Sequence, residues 1–234
     1  MGLRRLAKRL VGFLPPAAHE SAPDPQALFT QFYRRNKWQG LSRSGTGSDA
    51  AQTGVLERQL GALLRDLGVR RLLDVPCGDF AWMQRVDLTG IDYLGGDIVP
   101  PLIDANRQRY GRAGVEFRVI DLLRDSLPAA DLLLCRDCLV HLPLADGMAA
   151  LHAMAASDID YLLLTTFPGR PVNADIQAGK WRPLDLQRAP FALPPPLRLV
   201  VEQCTEKDGR YADKALGLWR RVDLVAALAG SGGS

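Results

Sequence analysis

The segment Leu72-Leu73-Asp74-Val75-Pro76-Cys77-Gly78-Asp79-Phe80 constrains the fold more than any other part of the chain. A short apolar run ends on an acid, the chain turns on one glycine, and an apolar stretch resumes. In open α/β sheets this arrangement puts backbone N–H groups and a carboxylate at the carboxyl end of a parallel strand, where nucleotide-like ligands bind. The pattern around it alternates. Strand-like runs at 71–75, 92–97, 115–122, 130–137 and 161–167 are separated by helical or turn-like stretches at 80–86, 100–110 and 144–156. Such alternation implies crossover connections and a parallel sheet covered on both faces.

Two further strand-like runs, 197–204 and 214–223, flank a polar turn at 205–213 and read as an antiparallel hairpin. The expected fold class is α/β: a doubly wound, mostly parallel seven-stranded sheet with a C-terminal antiparallel hairpin. Upstream, helical spacing predicts helices over 26–38 and from Val55 to Leu67, the latter capped by Thr53.

A chain of 234 residues can bury one sizeable core. The expected organisation is a basic leader and Pro/Ala linker (1–25), one domain (26–229) and a flexible tail (230–234). Within the domain, 26–54 is a cap and the proline-rich stretch 168–196 an insertion on the acceptor side. A net charge of +3 gives no argument for nucleic acid. Cys77, Cys135, Cys138 and Cys204 suit reduced cytosolic thiols better than a disulfide framework. Cys135-x-x-Cys138 lacks the second pair or nearby histidines that a metal site needs, so no metal is expected. In 3–14, Leu3, Leu6, Leu10, Phe13 and Leu14 share one helical face, opposite Arg4, Arg5, Lys8 and Arg9. That pattern fits weak contact with the inner surface of an anionic membrane, or equally a frayed leader or a helix docked on the domain.

Acids recur at successive strand ends. Asp97 closes Tyr93-Leu94-Gly95-Gly96-Asp97-Ile98, twenty-three residues after Asp74 and near the ~20 expected of an acid that binds ribose hydroxyls. Asp121-Leu122 closes the third run. A nicotinamide-binding fold would want Gly-x-Gly-x-x-Gly after the first strand, but Pro76 and Ala81 break that set.

The three acidic strand ends and the closing hairpin resemble the class I methyltransferases that use S-adenosylmethionine (SAM). The Pro-Cys-Gly-Asp-Phe turn, the Cys-Arg-Asp-Cys-Leu-Val-His-Leu run and the Trp-Arg-Pro-Leu run resemble a bacterial subset of that superfamily. Two glycines of the superfamily's first motif are replaced here by Pro76 and Phe80. The resemblance assigns SAM to Asp74, Pro76, Gly78 and Asp79 in the first turn. It adds Asp97 and Ile98, Asp121 and Leu122, and Arg136. The polar segment 42–48 adds Ser44, with Trp38 before it, at the methionine end. The acceptor would meet Arg43, Thr166, Trp181, Arg182 and Tyr211. Arg43 and Arg182 point to a negative group on a small-molecule or sugar-like acceptor. Asp137 and His141 are the candidate general bases, although His141 reads first as a residue that fixes the turn into the next helix. The implied activity is methyl transfer to oxygen or nitrogen. The alternatives are a SAM-binding module without catalysis and a nucleotide-linked oxidoreductase.

Overall fold

The computed structural model describes residues 24–231. The basic leader and most of the linker lie outside them. Seven strands form one sheet in the order β3-β2-β1-β4-β5-β7-β6. They are β1 (Arg71–Asp74), β2 (Asp92–Asp97), β3 (Val115–Val119), β4 (Ala130–Cys135), β5 (Ile159–Thr166), β6 (Arg198–Val201) and β7 (Ala215–Arg220). β1 to β5 are parallel, while β7 runs antiparallel to both β5 and β6. β4 and β5 carry near-continuous leucine runs because both of their faces are covered.

One face packs Leu56, Leu60 and Leu64 of α2 (Ala50–Asp66) and Ile103 of α3 (Pro100–Tyr110) against Tyr93 and Phe117. The other packs Leu151 and Met154 of α4 (Leu144–Ala155) and Leu224 of α6 (Arg221–Ser231) against Leu133, Leu162 and Trp219. The N-terminal helix α1 (Pro25–Arg35) starts where the Asp24 carboxylate accepts from the Ala27 N–H (3.1 Å), with proline at its first position. A single turn, α5 (Glu206–Gly209), lies between β6 and β7; Lys207 and Asp208 both take left-handed backbone there. No helix among the described residues is long and apolar enough to cross a membrane.

Four expectations need correction. The helix over 80–86 shrinks to one 3-10 turn, Met83–Arg85. Phe80 has a left-handed backbone (φ 57°) that no helix can start from, and its buried ring packs among Tyr93, Tyr110 and Phe117 at 5.0–5.2 Å. The last strand stops at Arg220 rather than 223, because Arg221 donates to the carbonyls of Ile159 and Ala155 and opens α6. That helix runs through Gly230 to Ser231, so the tail does not begin at 230. The 168–196 stretch is bound to the sheet through Arg182. Its guanidinium is buried and donates to the carbonyls of Ala174 (2.9 Å), Leu139 (2.8 Å) and Leu142 (2.7 Å). Arg182 therefore staples the insertion to the segment after β4 and has no face to offer an acceptor. Replacing it strands three carbonyls, so Arg182→Ala should lower the unfolding free energy by about 3 kcal/mol in urea titrations.

Candidate active site

A cavity lies at the carboxyl ends of β1 to β4, walled on its other side by α1 and the segment from Trp38 to Ser48. The expected residues that line it are Trp38, Arg43, Ser44, Asp74, Pro76, Gly78, Asp97, Ile98, Asp121, Leu122, Arg136, Asp137 and His141. Asp79, Thr166, Trp181, Arg182 and Tyr211 do not line it.

The first turn is held by its own side chains. The Gly78 N–H donates to Asp97 Oδ2 (3.3 Å), which joins the ends of β1 and β2. Val99 N–H donates to the other oxygen of Asp97 (3.1 Å). Gly78 has φ 54°, and a Cβ there would lie 2.2 Å from Ser44 Oγ, so only glycine fits. Asp79 faces away from the cavity. Its carboxylate accepts from the Ser42 hydroxyl (2.9 Å), the Arg43 N–H (3.0 Å) and the Ala81 N–H (3.2 Å), and its own N–H donates to Ser44 Oγ (2.9 Å). It anchors the wall segment.

The turn consequently has few free amides. Cys77 N–H donates to the Gly96 carbonyl (2.8 Å), and the N–H groups of Gly78, Asp79 and Ala81 are engaged as above. No α-helix follows β1. A pyrophosphate would find neither an amide cradle nor a helix N-terminus. The cavity presents carboxylates instead: Asp121, Asp97 and Asp74 at the ends of β3, β2 and β1. Apolar Ile98, Ile120 and Leu122 stand between them. This donor set fits SAM: a carboxylate for a ribose diol, an apolar slot for a flat base, and acidic surroundings for a sulfonium cation. Both oxygens of Asp121 have partners, the Leu123 N–H on one (2.9 Å) and the Arg124 guanidinium on the other (3.4 Å).

Burial raises the carboxyl of Asp97 to about 6 and that of Asp74 to about 7. For Asp74, the Tyr93 hydroxyl, which donates to it (2.7 Å), and the charge of Arg136 pull the other way without winning.

Beyond β4 the site turns ionic. Arg136, with 4% of its side chain exposed, forms a two-pronged pair with Glu202 (3.1 and 2.7 Å), contacts Asp137 (3.3 Å) and donates to the Gly47 carbonyl (2.8 Å). Lys214 bridges Asp137 (2.6 Å) and Glu202 (3.3 Å). Burial would raise Asp137, but Lys214 and Arg136 outweigh it and hold its carboxyl at about 2. Arg136 is thus committed to its own chain, more than the expected role at a ligand implied. The His141 ring stands 5.6 Å from that of Trp38, and its Nδ1 lies 2.9 Å from the Lys180 carbonyl, which makes Nδ1 the protonated nitrogen. Burial, with a smaller push from Lys214, lowers its pKa and keeps the ring neutral.

Of the other expected acceptor contacts, Arg43 lines the cavity, and Thr166, Trp181 and Tyr211 stand elsewhere. Thr166 Oγ1 is buried and bonded to the backbone of Leu186 and Leu184. Trp181 and Tyr211 pack edge-on to each other (4.6 Å) and to Phe167. Arg43 sits over the Tyr33 ring (5.4 Å) and donates to the Tyr33 carbonyl. Sequence reasoning missed Glu202, Lys214 and Trp82, whose ring lies under Arg136 (5.3 Å). The thiols are free, that of Cys135 raised by its hydrogen bond to Cys138 and by burial, and no cluster able to hold a metal occurs among the described residues.

The backbone matches solved structures of methyltransferases. The chain has the class I methyltransferase fold. One match is the 1,6-didemethyltoxoflavin-N1-methyltransferase of Burkholderia thailandensis, bound to that acceptor and S-adenosylhomocysteine (TM-score 0.58, 20% identity, 83% of this chain and 86% of that one). Another is human N-acetylserotonin methyltransferase with SAM (TM-score 0.57, 15% identity, 85% of this chain and 60% of that one). The [4+2]-cyclase SpnF shares the methyltransferase fold as well (TM-score 0.51, 18% identity, 71% of this chain and 70% of that one). At these identities the likeness carries the fold alone. The chain spans less than two thirds of the length of the human enzyme and of the N-methyltransferase NodS from Bradyrhizobium japonicum WM9; the NodS match (TM-score 0.39, 18% identity, 47% of this chain and 61% of that one) is too loose to argue from. No protein-family model matches the sequence, and no curated protein does.

Asp74 generates a test that needs no ligand. Its carboxyl titrates at about 7 when folded against an ordinary 3.8, so between those values the native state holds a proton that the unfolded chain has lost. That contribution to stability is full below 3.8 and gone above about 7. Calorimetric melting of the ligand-free protein should find Asp74→Asn more stable than the parent at pH 8, by at least about 2 °C, with a smaller gain at pH 5.

Proposed function

We propose that the protein transfers a methyl group from SAM to an oxygen or nitrogen of a small molecule. One observation carries this reading: three carboxylates at neighbouring strand ends line a single cavity whose first turn has already used its amides. A dinucleotide's phosphates would meet the carboxylates of Asp97 and Asp121 there, whereas a sulfonium nucleoside is matched.

When bound, SAM supplies a methyl group already activated by its positive sulfur. What remains for the chain is alignment, exclusion of water and removal of one proton. Asp97 would accept from the ribose hydroxyls, Asp121 and Leu122 would border the base, and Gly78 would let backbone approach. Ser44 and Arg43 would close over the amino-acid end, with the guanidinium of Arg43 as the carboxylate partner. In this reading residues 26–54 act as a cap. His141 is the base: its Nε2 carries the lone pair, and it makes no hydrogen bond among the described residues. Asp137 is ionised but too weakly basic to compete, because its charge is spent on Lys214 and Arg136.

Titration calorimetry should show SAM and S-adenosylhomocysteine binding and no NAD(P) binding. Asp97→Asn should weaken SAM by about tenfold or more, the equivalent of one strong charged hydrogen bond. Binding of NAD(P) in place of SAM would overturn the reading. Labelled-methyl transfer into cell extract, followed by mass spectrometry, names the acceptor. SAM affinity with no label transferred would instead favour a binding module.

His141→Ala should lower kcat by about a hundredfold while leaving S-adenosylhomocysteine affinity intact. The acidic limb of the parent's rate profile should fall below the ordinary histidine value of 6.5, since only the neutral ring accepts the proton and burial favours that form.

A further inference from the structure

Strand order fixes a direction across the cavity. Asp121, Asp97 and the Pro76–Gly78 turn lie at the ends of β3, β2 and β1, so the acceptor belongs beside the next strand, over the segment after β4. The wall there is apolar and aromatic. Trp38 is half-buried, stacks on Phe29 (6.4 Å, 27°) and stands against His141, with Cys138 and Leu142 beside them.

The polar groups near this end are largely matched within the chain. The charge of Asp137 is met by Lys214 and Arg136, Thr165 Oγ1 accepts from the Asp137 N–H (2.8 Å), and Arg182 is held by carbonyls. Two acceptors are left without a hydrogen bond among the described residues: Asp137 Oδ1 and His141 Nε2. Of the cations lining the cavity, Arg136 is taken by carboxylates, and Arg43, beside Tyr33, is the one the reading above gives to the SAM carboxylate.

We propose that the acceptor is a neutral planar arene or heteroarene that presents an O–H or N–H, packed on Trp38 with its proton directed to His141. The proposal rests on the reading of the cavity as a SAM site. A sugar brings several hydroxyls, each of which needs a partner once desolvated, and the wall offers two acceptors and an aromatic face. An anionic acceptor would meet Asp137 without a free cation. On transfer, a lone pair of the acceptor forms the bond to the methyl carbon, and the carbon–sulfur bond breaks with its electron pair left on sulfur. The acceptor's proton passes to His141 Nε2 and then to water.

The test is calorimetry on the full chain saturated with S-adenosylhomocysteine and titrated with 2-naphthol, 7-hydroxyquinoline and benzimidazole. Matched controls are 2-naphthoate and N-acetylglucosamine. The expected result is binding of at least one neutral arene with quenching of tryptophan fluorescence, and controls weaker by about tenfold or more. Trp38→Ala, loaded to the same saturation, should lose about tenfold in arene affinity, and Trp38→Phe should recover most of it. Three results overturn the proposal: no arene binding, control binding as tight as the arenes, or arene affinity within about twofold in Trp38→Ala. Loading with S-adenosylhomocysteine is measured first, so failure of the SAM reading shows there, and failure of the acceptor class shows only afterwards.

Discussion

A guanidinium with 4% of its side chain exposed cannot rest at the end of β4 unless negative charge meets it there, and Glu202 does so with both oxygens. An uncompensated charge at such depth costs about 3–5 kcal/mol. Lys214 and Asp137 complete the group, two cations and two carboxylates with no net charge. Its members come from the end of β4, the exit of β6 and the entry to β7. Through Arg136 it also holds the Gly47 carbonyl, and Thr46 next door donates to Glu206 (2.5 Å). At its other end the same wall segment is tied to Asp79. The wall of the cavity is therefore fastened at both ends to sheet strands that lie far apart in sequence.

The five parallel strands were legible because each is a short apolar run bounded by turn residues, and β4 and β5 are leucine on both faces. The closing antiparallel pair was legible from the polar turn between two such runs. What failed were places where a side chain overrides local periodicity. Phe80 was read as the start of a helix, yet its ring is needed among Tyr93, Tyr110 and Phe117, and the backbone goes left-handed to deliver it. Helix α6 was hidden because Leu216, Leu218 and Trp219 lead into Val222 and extend the look of a strand. Leu224 and Leu228, four apart and buried, were the available signal.

Much of the cavity was legible for a simple reason. Acids at the ends of adjacent parallel strands are brought together by the sheet itself, so spacing along the chain becomes position in space. Charge pairing has no such rule. Glu202 and Lys214 are 66 and 77 residues from Arg136 and Asp137, and nothing local marks them as partners. Arg182 misled for the opposite reason. An arginine in a proline-rich insertion looks like an anion clamp, but the insertion leaves backbone carbonyls that need donors, and one guanidinium serves three of them.

Fold and reaction separate at the segment after β4. A [4+2]-cyclase shares this fold, so the sheet alone does not select methyl transfer. In the proposed function, the strand ends of β1, β2 and β3 choose only what kind of nucleoside would be held. Chemistry on a second molecule has to come from what stands beyond them. There the fixed charges pair with one another, and burial keeps the His141 ring uncharged. A neutral imidazole with Nδ1 tied to a carbonyl can accept one proton and release it, and it has no charge with which to hold an anion. In the proposed function, the aromatic wall of Phe29 and Trp38 is the feature that would orient an acceptor, and selectivity at this end would rest on shape and stacking more than on ion pairing.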